Sequence, residues 1–305
     1  MRKIPVDRVI VSADLNPQFL NFWPLAAASW VKTFGITPTL ALVSRSEVNS
    51  KLLGKLSQFG EVVVVVSKNQ APLPNLAKLA RWYVACKLND EVVTVEDIDT
   101  VFFDSSYLIQ KLENFNSERL LGIGNDVNQD DSDYKGKFPA SNLTGRGRIF
   151  SEFFESSSGE SFDDFVNRFR NMKAIDERED PFNNPKNFSD ESLIRAIRRK
   201  SVQDLIVTIP REVDIQSDWM DRSWWPSDGK IPGRAILANM PRPLYNNQTK
   251  CQEIIDLYFP EKYPWILERK SRIWENPDNR IRSSFRQLLF RIRFNLRKIR
   301  FPIGQ

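Results

Sequence analysis

The 305-residue sequence contains no histidine. Ser-His-Asp and Cys-His nucleophile systems, histidine general bases and mixed histidine zinc sites therefore cannot be built from it. Acid-base or metal chemistry falls to carboxylates, and charge stabilisation to Arg, Lys or a metal ion. Cysteine is nearly absent as well. Cys86 and Cys251 are too few for a disulfide framework or a cysteine-only zinc site, and they read as free thiols in a reducing, cytoplasmic compartment. No run of about 18 apolar residues occurs, which excludes a spanning helix. The charged start MRKIPVDRVIVS lacks the apolar stretch of a signal peptide. With 12 glycines and 18 prolines the chain is neither collagen-like nor of low complexity, and its 21 phenylalanines and 8 tryptophans are too many for a disordered one.

What is present is an alternation of short β-branched runs and longer helical patterns through the first 125 residues, the signature of a mainly parallel sheet wrapped by helices. Strands are expected at 8–12, 37–43, 61–67 and 91–95. Helices are expected at 17–34, bent at Pro24 and stopped by Gly35, at 47–59, and from Pro72 and Pro74 through Leu88. Further on, helical patterns return at 148–154, 162–172 and 189–199, a strand is expected at 202–209, and 219–247 reads as irregular. Residues 1–250 form the expected catalytic domain and 251–305 a helical extension. The final segment, 280–305, holds eight Arg and Lys residues and no acid, more than the whole chain's net charge of +5. Ile281, Phe285, Leu288, Ile292, Leu296 and Ile299 recur there at helical spacing, which predicts a cationic amphipathic helix.

The fourth expected strand runs straight into Glu96-Asp97-Ile98-Asp99. In open α/β sheets, ligands sit beyond the carboxyl ends of the strands, and Ser12-Ala13-Asp14 ends the first strand in the same way. Asp97 and Asp99 flank one residue, so on an extended backbone their carboxylates point to one side and converge on one cation. Hard oxygen ligands suit Mg²⁺ or Mn²⁺. A solvated acidic turn is the plainer alternative for an isolated Asp-x-Asp. No G-x-x-x-x-G-K-[ST] loop is present, and Gly122-Ile123-Gly124 lacks the third glycine of a dinucleotide fingerprint, which counts against kinases, P-loop hydrolases and dehydrogenases.

The block Ala80-Arg81-Trp82-Tyr83-Val84-Ala85-Cys86-Lys87 followed by 92–103 resembles the helix, strand and Asp-x-Asp segment of GT-A-type glycosyltransferases. So do Asn16-Pro17-Gln18-Phe19-Leu20-Asn21-Phe22-Trp23-Pro24, the turn Gly35-Ile36-Thr37-Pro38-Thr39, and Phe188-Ser189-Asp190-Glu191-Ser192-Leu193. The resemblance spans residues 8 to 250. It implies a GT-A-like, Rossmann-like mixed sheet flanked by helices, and an enzyme that moves a sugar from a nucleotide-diphosphate donor to a glycan or lipid-linked acceptor. By the same resemblance, Asp97 and Asp99 hold Mn²⁺ or Mg²⁺ and the donor diphosphate, Ser12, Ala13 and Asp14 line the base and ribose pocket, and Arg81 lies against the donor. Many metal-dependent members complete the metal shell with a C-terminal histidine. This chain has none, so three alternatives stand for that position: the amide oxygen of Asn239 as third ligand, a water, or a weakly held metal; Arg242 is a candidate fixed cation for the diphosphate. Trp224 and Trp225 are either acceptor-stacking or core residues.

Asp190 and Glu191 open an expected helix, where the macrodipole favours acids; they either cap it or provide the base that an inverting transfer requires. A retaining enzyme would use the leaving phosphate instead. For the basic tail, an anionic membrane surface at the inner face of a membrane is the favoured partner over nucleic acid, and packing back on the domain is the third alternative. Two other functions fit less well: a nucleotidyltransferase acting on sugar phosphates, which lacks its Gly-rich loop here, and a non-catalytic, membrane-associated binding protein of the same fold.

Overall fold

The computed structural model of the protein describes residues 4–124, 141–170, 203–210, 218–222, 225–226 and 228–267. The β-branched run at the start forms strand β1 (Arg8–Asp14). Two helices follow where one bent helix was expected: α1 (Pro17–Leu20) and α2 (Trp23–Phe34). Pro24 sits in the first turn of α2, where its missing N–H is not needed, so it starts a helix rather than bending one. Gly35 closes α2 at φ 71°, a left-handed conformation that suits a residue without Cβ. Strand β2 (Thr39–Ser44), helix α3 (Ser50–Leu56), strand β3 (Glu61–Val66) and helix α4 (Leu73–Cys86) come next. They are followed by strands β4 (Val92–Val95) and β5 (Thr100–Phe102), helix α5 (Ser106–Lys111) and strand β6 (Leu120–Ile123). Strand β7 (Leu143–Arg146) leads into helix α6 (Gly147–Phe153), and helix α7 (Phe162–Arg170) follows. Strands β8 (Ile206–Ile209), β9 (Trp219–Met220) and β10 (Leu237–Asn239) precede helix α8 (Gln252–Tyr258).

Seven of these strands make one sheet in the order β3-β2-β1-β4-β7-β6-β8. All pairs are parallel except those of β7, which runs antiparallel to both neighbours. This is the mixed, mainly parallel sheet flanked by helices that the GT-A-like resemblance implied. The chain winds outward from β1 to β3 and then returns to place β4 on the other side of β1, so the strand order reverses between β1 and β4. In open α/β sheets that reversal leaves a crevice at the carboxyl ends of the two strands. Pairing of β1 with β4 ends at Ile10 opposite Val95, while β1 continues to Asp14. The last residues of β1 therefore rise beside the segment that follows β4.

Two strands of a second, three-stranded sheet, β5-β10-β9, lie inside the stretch expected to be irregular. Strand β10 pairs antiparallel with β5 and parallel with β9. Packing of the main unit continues past the boundary expected at residue 250, through Ile266. Cys251, Ile254 and Ile255 are buried, and the Tyr258 hydroxyl donates to the Phe102 carbonyl at 2.6 Å. The basic segment 280–305 and the helix expected at 189–199 lie outside the described residues. Both cysteines are buried free thiols. No helix among the described residues is long and apolar enough to cross a membrane.

Helix α4 is the element that carries Arg81, and its seat is an aromatic cluster of the core. Trp82 is fully buried and stacks on Phe154 with ring centroids 4.9 Å apart, while Phe150, Phe165 and Phe169 close the cluster from α6 and α7. Truncating a buried tryptophan forfeits its transfer free energy and leaves a cavity. Trp82→Ala should therefore destabilise the protein by about 3–5 kcal/mol in urea denaturation; a loss below about 1 kcal/mol would contradict this packing.

Candidate active site

The sequence-predicted residues at the ends of β1 and β4 meet. Ser12, Ala13 and Asp14 from β1, Arg81 from α4, Asp97 and Asp99 from the turn after β4, and Arg242 from beyond β10 line a single cavity of about 100 Å³. Phe19, Pro74, Ala77, Lys78 and Ile98 complete its wall. A larger cavity of about 550 Å³ runs along α5, β6 and β8 and contains none of the strand-end residues.

The turn between β4 and β5 is held from within. The backbone N–H of Asp97 donates to Glu96 Oε1 at 2.8 Å, and the Met240 N–H donates to the Asp99 carbonyl at 2.8 Å. The second bond joins the turn to the end of β10. Asn239, the candidate third metal ligand, faces Thr100: its amide oxygen accepts from the Thr100 hydroxyl at 3.1 Å. It belongs to the small sheet and is not part of the cavity wall.

The two aspartates are both claimed by guanidiniums. Arg81 Nη1 donates to Asp97 Oδ1 at 2.6 Å and to the Glu96 carbonyl at 3.2 Å. Asp99, whose side chain is only 2% exposed, accepts a two-pronged bond from Arg242, with Nη2 at 2.7 Å from Oδ1 and Nε on Oδ2. Arg222 Nη1 adds a third bond to Oδ2 at 2.7 Å. Arg242 is also held on one face by the Phe19 ring, 4.9 Å from its guanidinium carbon. Desolvation pushes the Asp97 carboxyl up, but Arg81, Arg242 and Arg222 outweigh it and hold the group down at about 2. Its side chain remains 39% exposed, so this pairing is partly screened by water.

That donor set does not fit a divalent cation. A metal site needs carboxylate lone pairs turned toward one point, whereas those of Asp99 are spent on two arginines. Asn239 turns its oxygen elsewhere, and no group of three His, Cys, Asp or Glu residues among the described residues could hold a metal. Asp14, Glu96, Asp97 and Asp99 stand with Arg81, Arg222, Arg242 and Lys78 around this crevice, so the formal charges cancel. Guanidiniums are the groups there whose geometry suits an anion such as a phosphate.

Asp14 differs from the other acids. It is 1% exposed, its Oδ1 accepts from the Asn16 N–H at 3.1 Å, and its Oδ2 is buried with no hydrogen-bond partner. Burial pushes its carboxyl above the ordinary value. A buried acceptor without a partner costs free energy, and a polar ligand in the cavity would offset that cost.

Arg222 and Lys78 were not among the sequence-predicted site residues. Lys78 lies three positions before Arg81 on α4, a helical spacing that places both on one face. Arg222 follows a two-residue strand, and no local pattern marks it. Asp190, Glu191 and Trp224 lie outside the described residues. Trp225 donates its indole N–H to the Lys250 carbonyl at 2.8 Å and is not part of the cavity wall.

The sequence matches no known protein-family model, and no curated protein matches it. Among solved structures it is similar to glycosyltransferases. The galactosyltransferase LgtC, in complex with donor and acceptor sugar analogs, is 13% identical over 85% of this chain and 100% of that one, with a TM-score of 0.47. The glycosyltransferase GlyE of Streptococcus pneumoniae TIGR4 is 10% identical over 86% of this chain and 66% of that one, with a TM-score of 0.46. The bifunctional glycosyltransferase WbbM, 10% identical, is matched over 83% of this chain and 51% of its own, with a TM-score of 0.42.

The opposite environments of Asp14 and Asp97 predict stability changes of opposite sign. Asp14 is raised by burial, so its charge costs stability above the ordinary carboxyl value of 3.8. Asp14→Asn should raise the Tm at pH 7, with the gain fading as pH falls below that value. Asp97 is lowered, so its contribution is present above 3.8 and lost as pH falls through about 2. Asp97→Asn should lower the Tm at pH 7 and converge with the parent toward pH 2. Melting curves at several pH values check both, and shifts of the same sign would contradict the assignment.

Proposed function

We propose that the chain is a glycosyltransferase that takes a sugar from a nucleotide-diphosphate donor and passes it to a hydroxyl of a glycan or lipid-linked acceptor. The observation that carries this reading is the convergence of an orphaned buried carboxylate, Asp14, and an arginine cluster in one crevice where the strand order reverses. The two features suit the two ends of a nucleoside diphosphate. Asp14, flanked by Ser12 and Ala13, offers an acceptor to an N–H or O–H of the base or ribose. The guanidiniums of Arg81 and Arg242, in the cavity wall, offer fixed positive charge to the phosphates, and Arg222 supports Asp99 from outside that wall.

In the transfer, the bond from the anomeric carbon to the diphosphate oxygen breaks and its electron pair leaves with the diphosphate. The acceptor oxygen bonds to that carbon and gives up its proton. Negative charge therefore builds on the leaving diphosphate, and preorganised cations stabilise charge that develops in the transition state more than charge already present in the ground state. Asp190 or Glu191 is the proposed base for the acceptor proton in an inverting reaction; in a retaining one the leaving phosphate takes it. The basic segment 280–305 would bring such an enzyme to an anionic membrane surface carrying lipid-linked acceptors.

Screening nucleotide sugars for hydrolysis and transfer tests the reading. One donor class should be consumed. Asp97→Ala and Asp99→Ala, which release the arginines from their positions, should lower the rate by about 100-fold or more. Activity surviving both substitutions would contradict the assigned site, and a donor that binds without being consumed would favour a non-catalytic binding protein.

A further inference from the structure

We infer that β3, the outer strand of the large sheet, pairs antiparallel with β3 of a second copy of the chain, so that two seven-stranded sheets join edge to edge about a two-fold axis at Val64. Strand β3 is bonded on one side only. Its register with β2 runs from Thr39 opposite Glu61 to Ser44 opposite Val66. The Glu61 N–H donates to the Pro38 carbonyl at 3.1 Å and the Ser67 N–H to the Ser44 carbonyl at 2.9 Å, so the odd-numbered residues turn their backbone groups toward β2. The N–H and C=O groups of Val62, Val64 and Val66 therefore face outward, and among the described residues none of them is hydrogen-bonded. After Glu61 the strand is valine throughout, with no proline, lysine or bulge to blunt the edge. Val66 is 46% exposed.

The occupant follows from the symmetry of that outward set. With Val64 opposite its counterpart in the second copy, Val62 lies opposite Val66 and Val66 opposite Val62, and every outward N–H and C=O on both strands finds a partner. Parallel pairing cannot do this symmetrically. Each outward residue would then bond to two residues offset along the other strand, and two identical sets cannot both supply that offset. The antiparallel contact is also closed, because it uses the edge of both copies and leaves none for a third. It sets valine opposite valine at each bonded position, a β-branched pairing that favours strands. No residue of β3 lines the cavity at the ends of β1 and β4, so the contact is independent of the donor reading. One six-residue strand from each copy makes a small interface, and association should therefore rise with protein concentration.

Analytical ultracentrifugation of the full chain over a micromolar to submillimolar concentration series tests this, with amide hydrogen exchange as the local readout. The mass should rise from 35.5 kDa toward twice that value. Over the same series the amides of Val62, Val64 and Val66 should slow by about tenfold or more, while those of Val63 and Val65, already bonded to β2, should change little. Val64→Pro removes an N–H that β2 does not use, which an edge strand tolerates, and should hold the chain at 35.5 kDa at every concentration. Val66→Lys, at a side chain that is already exposed, should do the same and decides the matter if circular dichroism shows the proline variant unfolded. A chain that stays monomeric throughout, a dimer that persists in the folded variants, or a dimer without protection at Val62, Val64 and Val66 would overturn the inference.

Discussion

A carboxylate removed from water is tolerated only when other groups replace its hydration, and Asp99 is almost completely removed. Its partners come from two places distant in sequence, Arg222 just after β9 and Arg242 just after β10. Strands of two and three residues cannot hold a sheet by themselves. These ion pairs, buried at Asp99 and part-exposed at the arginines, together with the Met240 N–H bond to the Asp99 carbonyl, tie the small sheet to the turn after β4. Removing one partner of a buried pair typically costs about 3–5 kcal/mol, because the other charge is left stranded. The same contacts that organise this part of the fold thus also fix the positive charge at the cavity.

The large sheet contributes the other half. Because the chain winds outward from β1 and then returns, β4 lies beside β1 but stops pairing with it at Ile10 opposite Val95. Beyond that point β1 stays paired with β2 as far as Asp14, and the side chains at the two strand ends look elsewhere for partners. Asp14 finds only a backbone N–H for one oxygen, and Asp97 finds Arg81 from α4. Arg81 is buried and its helix is anchored by Trp82 against Phe154, so the cation is placed by the aromatic core rather than by flexible side-chain reach. Rigid elements on both sides of the crevice are what a site requires if charge is to be presented without reorganisation.

Much of this was legible in the sequence. Valine-rich runs and helical periodicity located β1 through β4 and α4, because strands buried in a parallel sheet are continuously apolar. The acidic cluster at the end of the fourth strand, with Ser12-Ala13-Asp14 at the end of the first, pointed to one rim. Two features were not legible for a physical reason. Strands β9 and β10 are too short to show a period of two, so 219–247 reads as irregular although it carries two strands of the second sheet. The role of Arg222 depends on that sheet, and so on contacts across more than a hundred residues. The spacing of Asp97 and Asp99 suggested two carboxylates aimed at a metal. Spacing cannot reveal that arginines from elsewhere occupy them.

The central claim is that guanidiniums, held by Asp97 and Asp99, form the anion site of this crevice. Crystals grown with a nucleoside diphosphate and Mn²⁺, with data collected near the manganese absorption edge, test it most directly. The account predicts phosphate oxygens beside Arg81 and Arg242 and no anomalous peak between the two aspartates. An anomalous peak coordinated by Asp97 and Asp99, with the arginines swung away, would contradict it.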